Sequence, residues 1–187
     1  MSEQDDVPPA KDMQLSPMLE GADRPELPRT GSEREILTAF LDWHRATFEL
    51  KCAGVAAERM SEQGVPPSTL SLHGLVRHLA GVERWWFRQH FAGERLPMLN
   101  YSDDAPDQDF EWLDGDVDAA FDSWRTECGH ARRIVAAAPS LDVTCRSLVT
   151  GMEMSLRYLL VNTIAEYARH NGHADLLRER IDGVTGH

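Results

Sequence analysis

An acidic and an imidazole side chain, Glu166 and His170, stand one helical turn apart near the end of the chain. At about 100° per residue, a helix places both in one narrow stripe with Leu156, Leu159, Thr163 and Leu177. A lone carboxylate among apolar side chains is costly, so Glu166 needs a partner. Two interpretations follow from the spacing: a hydrogen-bonded Glu–His pair in the core, or two ligands of a metal site.

A second imidazole, His78, lies at the edge of the apolar stripe of another predicted helix, beside Leu75 and Val82. Taken singly, a histidine in this position is usually a core or boundary residue. If the two helices face each other, however, His78, Glu166 and His170 form a His₂Glu set. That set is typical of open zinc sites and of non-haem iron sites, and it leaves metal positions free for water or substrate. His78 therefore strengthens the metal interpretation, with the structural Glu–His pair as the alternative; among divalent metals zinc comes first, with nickel or iron as further candidates.

Four segments carry the apolar spacing and the start signals of amphipathic helices. They extend from the Ser32–Glu35 capping box to about Cys52, from Ser68 or Ser71 to about Ala92, from Asp114 or Asp116 to the Ala136–Pro139 stop, and from Ser155 to about Ile181. Gly183 suits the left-handed position that ends the last helix. Short β-prone runs near Val143 indicate a small hairpin or a crossover between the third and last helices. The sequence thus predicts an all-α fold, a four-helix bundle.

The remaining segments are predicted to be irregular. Residues 1–30 hold five of the ten prolines and seven acids against three bases, which predicts an extended or disordered arm before a domain at 31–187. An acidic stretch follows the second helix and contains Asp103, Asp104, Asp107 and Asp109. It lacks the ligand order of an EF-hand, so we interpret it as a solvated lid or loop rather than a calcium site.

Charge and composition exclude several function classes. The chain has 187 residues and a formal net charge of −12, which disfavours nucleic acid and anionic lipid as partners. No apolar run approaches the roughly 20 residues of a membrane helix, and the N-terminus lacks the features of a secretory signal, so we expect a cytoplasmic protein. Cys52, Cys128 and Cys145 stand far apart, which predicts reduced thiols rather than disulfides or a thiolate zinc site.

Two local motifs resemble those of a known family. The stretch Leu75–Leu79 followed by Glu83–Trp86, together with Glu166–Asp175, is similar to the DinB-like metal-binding four-helix bundles. The likeness covers about residues 32–182 and is greatest to the branch similar to mycothiol-dependent maleylpyruvate isomerase. It implies metal ligands at His78, Glu166 and His170, although many relatives have a histidine where this chain has Glu166.

The resemblance also implies a class of function. It suggests a transferase or isomerase that depends on a low-molecular-weight thiol, in which the metal activates the thiol for a small-molecule substrate. A non-catalytic bundle that binds a ligand or partner, and a metal-dependent hydrolase, remain the alternatives. We place His173 in the second shell or at the rim, and Arg77, Arg84 and Arg169 mostly as solvated charges that could hold a carboxylate. A homodimer is a further expectation, because bundles with a loose arm often pair.

Overall fold

The computed structural model describes residues 24–185. Its helices and strands are α1 (Glu33–Cys52), α2 (Leu72–Glu83), α3 (Gln108–Glu111), α4 (Val117–Ala137), β1 (Thr144–Arg146), β2 (Glu153–Ser155) and α5 (Leu156–Asp182). The predicted all-α class is confirmed, with α1, α2, α4 and α5 as the long helices. Of the predicted arm, residues 1–23 lie outside the described part, and residues 24–30 contain no helix or strand.

Local sequence signals set the ends of the long helices. The residues that cap the helix starts with a side-chain oxygen are Ser32, Ser71, Asp116 and Ser155. Each accepts a hydrogen bond from a backbone N–H that has no partner inside the helix. At the other end of the chain, Gly183 adopts φ 77° and ends α5. That left-handed conformation is open to glycine because it has no Cβ.

The long helices pack in pairs around one apolar core. α1 lies mainly on α5, α2 lies mainly on α4, and α2 also contacts α5. Fully buried side chains from α1, α2 and α5 include Phe48, Leu72, Leu75, Leu79, Leu156, Leu160 and Tyr167. Because α2 and α5 are in direct contact, a residue on the inner edge of one can approach a residue on the other. This packing is what allows His78 to meet Glu166.

α2 continues past Glu83 as a π-helical stretch, Arg84–Phe91. The backbone N–H of Ala92 donates to the carbonyl of Phe87, five residues earlier, at 2.9 Å. Apolar periodicity predicts the length of this helix but gave no sign of its wider turns. Such turns are uncommon and occur frequently at functional sites.

A buried polar network links all four long helices. Glu83 of α2 has no exposed surface, and both of its oxygens accept hydrogen bonds from Arg45 of α1, at 2.8 and 2.7 Å. Tyr167 of α5 also donates to Glu83, at 2.8 Å, and Trp124 of α4 donates to the Tyr167 oxygen at 2.7 Å. The buried charge is therefore paired and hydrogen-bonded, as burial requires.

The predicted hairpin and the predicted free thiols are both present. β1 and β2 pair antiparallel, with Cys145 opposite Met154. Cys52, Cys128 and Cys145 form no disulfide. Burial raises the pKa of the Cys52 and Cys128 thiols far above the ordinary range, so neither is a ready nucleophile. Among the described helices, none is both long and apolar enough to span a membrane.

Candidate metal centre

His78, Glu166 and His170 lie together where α2 meets α5. One potential ligand atom from each residue lies within 4.8 Å of the other two. His78 Nε2 is 3.4 Å from Glu166 Oε1, and His170 Nε2 is 3.3 Å from the same oxygen. The helix spacing of four residues aligns Glu166 with His170, and the packing of α2 on α5 brings His78 to them. The structure thus brings together the three residues that the sequence singled out.

The hydrogen bonds of this cluster stabilise the charged forms of Glu166 and His78. Hydrogen bonds from His170 and then from His78 hold the pKa of the Glu166 carboxyl well below its usual range. Burial works against protonation of His78, but its hydrogen bonds to Asp109 and Glu166 outweigh burial and raise its pKa to about 9. A carboxylate and two imidazoles therefore share a small, partly buried volume. That volume suits a cation, either a proton or a metal ion.

Asp109 corrects the interpretation of the acidic stretch as a solvated loop. The residue is 6% exposed and lies within α3, a short helix that the sequence pattern did not predict. Asp109 Oδ2 is 2.8 Å from His78 Nδ1, which leaves Nε2 of His78 directed at Glu166. Asp103 and Asp107 remain exposed, as expected. The burial of Asp109 depends on a contact between residues 31 positions apart, which local periodicity cannot report.

Two further rings contact the cluster. Phe110 stacks on His78 with ring centroids 5.2 Å apart, and His173 Nδ1 lies 3.3 Å from His170 Nδ1. The latter contact agrees with the second-shell position expected for His173. The other histidine near α5, His44, instead contacts Asn171, whose side-chain nitrogen lies 3.2 Å from His44 Nδ1. His44 is thus outside the three-residue cluster.

A cleft of about 580 Å³ opens beside His78. Its walls come from α2 and its π-helical extension, from residues 98–110, and from the hairpin tip at Val149. Trp85 lines this cleft and also a neighbouring groove of about 540 Å³, so that residue separates two concave surfaces.

Each of the three arginines flanking the predicted ligands has a hydrogen-bond partner. Arg77 donates to the backbone carbonyl of Gln108, and Arg84 donates to Glu127, which is 2% exposed. Arg169 pairs with Glu166 Oε2 at 3.1 Å and is largely exposed. For Arg77 and Arg84, the expectation of solvated charges is therefore wrong, because each ties α2 to a neighbouring segment. None of these three arginines is among the described residues that line the cleft.

One family model matches most of the chain. The family model described as Mycothiol-S-transferase matches residues 36–183, which includes α1, α2, α4 and α5 almost entirely. No curated protein matches the chain. The match confirms the DinB-like resemblance carried by the motifs around His78 and Glu166. The chain belongs to the mycothiol-S-transferase family.

Proposed function

We propose that this protein binds one divalent metal ion through His78, Glu166 and His170 and transfers a low-molecular-weight thiol to an electrophilic small molecule. The observation that carries the proposal is the convergence of His78 Nε2 and His170 Nε2 on Glu166 Oε1, with His78 also lining an open cleft. Mycothiol, the thiol in the family's name, is the first candidate. Zinc is the first candidate metal, since His and Glu ligands suit it and three protein ligands leave a position open.

The chemistry of the three side chains fits such an ion. Two imidazole nitrogens and one carboxylate oxygen are ligands that zinc, iron and nickel all accept. Asp109 would hold His78 in the tautomer that has its hydrogen on Nδ1, since that nitrogen faces the Asp109 carboxylate at 2.8 Å. A carboxylate behind a ligating histidine is a common second-shell arrangement, which fixes the ring and increases its basicity.

A divalent metal here would supply charge that lowers the pKa of a thiol reaching it, and so favours the thiolate at neutral pH. In the transfer, the S–H bond breaks and its proton leaves to solvent. The sulfur lone pair then forms the new S–C bond. In a substitution the bond from that carbon to the leaving group breaks and the group departs with the electron pair, as chloride does from 1-chloro-2,4-dinitrobenzene. The chain's own groups position the reactants: His78 at one wall of the cleft fixes where the sulfur arrives, and Trp85 and Phe110 keep that wall apolar.

Metal analysis tests the proposal most directly. Protein prepared without a histidine tag and loaded with zinc should retain about one equivalent per chain after dialysis. His170→Ala should retain almost none, while its helix content by circular dichroism stays unchanged. His44→Ala is the matched control, because it removes an imidazole from α1 outside the cluster and should leave the metal content unaltered.

The transfer reaction needs a separate assay. With mycothiol and 1-chloro-2,4-dinitrobenzene, the zinc-loaded protein should accelerate conjugation, and chelation should reduce the rate about 100-fold or more.

Two results would contradict the proposal. In the metal analysis, a wild-type metal content near zero would identify Glu166 and His170 as a structural pair. Full activity in the chelated protein would contradict the metal's role, even if the metal binds.

A further inference from the structure

The cleft beside His78 has predominantly apolar walls. The apolar and aromatic side chains that line it are Val82, Trp85, Met98, Leu99, Phe110 and Val149. Its volume of about 580 Å³ falls within the range of small-molecule sites. Walls of this kind gain free energy by removing apolar ligand surface from water. The cleft therefore fits a molecule larger than a thiol group alone.

Apart from His78, the ionisable side chains among the described residues that line the cleft are all acidic. Besides His78, the ionisable side chains among the described lining residues are Asp103, Asp107 and Asp109, and none is lysine or arginine. Asp109 is engaged with His78, whereas Asp103 and Asp107 are exposed. An entering carboxylate would meet two free carboxylates and no guanidinium or ammonium partner in this part of the chain. Like charges at short range disfavour its binding.

A bound metal would not reverse this balance. The carboxylates of Glu166 and Asp109 would face the two positive charges of a divalent ion and the one charge of Arg169, which pairs with Glu166, so that one positive charge is left over here. Asp103 and Asp107 would then still leave the cleft with an excess of negative charge. Away from the open coordination position of the ion, the walls of the cleft therefore favour uncharged over anionic ligands, with or without the ion.

We propose that this cleft binds an uncharged, apolar molecule and discriminates against carboxylates and other anions of the same shape. That the cleft holds the acceptor of the thiol rests on the proposed function. The preference of the cleft for uncharged ligands is independent of the proposed function. If both hold, the acceptor is an apolar electrophile without a carboxylate, and a keto acid is a poor substrate. The proposal thus separates transfer to apolar electrophiles from isomerisation of anionic compounds.

Two fluorescent probes of nearly equal shape test the preference. N-phenyl-1-naphthylamine is neutral, and 1-anilinonaphthalene-8-sulfonate adds a sulfonate. With the full chain in its metal-free form, the neutral probe should bind about tenfold more tightly or better. Val82→Arg, which puts a cation at the wall, should weaken the neutral probe and strengthen the sulfonate. Equal affinities, or a neutral probe unaffected by Val82→Arg, would overturn the proposal.

A pair of exposed substitutions tests the charge argument without disturbing the core. Asp103→Asn with Asp107→Asn should raise the affinity for the sulfonate about three- to tenfold and leave the neutral probe unchanged. Glu58→Gln with Glu179→Gln removes the same charge from exposed positions that do not line the cleft, and should change neither affinity. Equal effects of both pairs would mean that net charge, not the cleft, decides binding, which would refute the proposal. Because these titrations use metal-free protein, they separate this proposal from the metal site.

Discussion

Asp109 Oδ2 lies 2.8 Å from Nδ1 of His78, although the two residues are 31 positions apart in the chain. Asp109 is 6% exposed, and its other oxygen, Oδ1, has no partner within the described residues. Because Nδ1 of His78 faces Asp109, the other ring nitrogen, Nε2, is directed at Glu166. The same contact holds Asp109 against the cluster. It connects α3 to the proposed ligands, so α3 supports the site as well as forming one wall of the cleft.

The first prediction concerns this pair. Asp109→Asn should weaken zinc binding about 10- to 100-fold, because the amide orients His78 less strongly and withdraws the negative charge behind the ring. Competition with a chromophoric chelator measures the affinity. Asp107→Asn, on an exposed neighbour, is the control and should bind zinc as the wild type does. An Asp109→Asn protein with unaltered affinity would show that the contact does not support a metal.

The second prediction separates a metal ligand from a structural ion pair at Glu166. Glu166→His should retain zinc, because imidazole replaces carboxylate readily in zinc sites, whereas Glu166→Ala should lose most of it. If Glu166 served only to pair with His78 and His170, the introduced imidazole would be the worse partner, and neither protein would hold zinc. Elemental analysis after dialysis distinguishes these outcomes.

The third prediction is a pH dependence of zinc binding. The pKa of His78 in the metal-free fold is about 9, above its ordinary value, so the ring keeps its proton at neutral pH. Zinc requires the neutral ring and must displace that proton, so the affinity should rise by about one logarithmic unit per pH unit from about pH 7 to about pH 9. Above about pH 9 the His78 ring is already neutral in the metal-free protein, so its deprotonation no longer makes the zinc affinity depend on pH. Calorimetry in two buffers of different ionisation enthalpy should record proton release at pH 7.5, and a pH-independent affinity would contradict the assignment.

The fourth prediction tests the buried network in the core. Glu83→Leu should lower the free energy of unfolding by about 3–5 kcal/mol, because it removes the fully buried carboxylate that pairs with the Arg45 guanidinium and leaves that group only the partly exposed Asp42. Adding Arg45→Met should recover much of that loss, since apolar side chains can replace a buried pair at little cost. Urea unfolding followed by circular dichroism measures both. Glu49→Gln, which breaks the more exposed pair with Arg125, is the control and should have a much smaller effect.

Local sequence determined the helices and the alignment of two ligands. Caps such as Ser32 and Gly183 act within one helical turn, so their signals are complete in a few residues. The four-residue spacing of Glu166 and His170 likewise fixes their common face. The apolar stripes predicted that these faces turn inward, and the burial of His170 agrees with that prediction.

Only the tertiary structure decided which groups meet across elements. The burial of Asp109 against His78 and the pairing of Arg45 with Glu83 join residues 31 and 38 positions apart. Helix periodicity reports the face on which a residue lies, but not the group opposite it, because helix packing selects that partner. The cleft is likewise a product of packing, since its walls come from three separate segments. The ligand types were readable in the sequence, while their support and the neighbouring cleft required the assembled bundle.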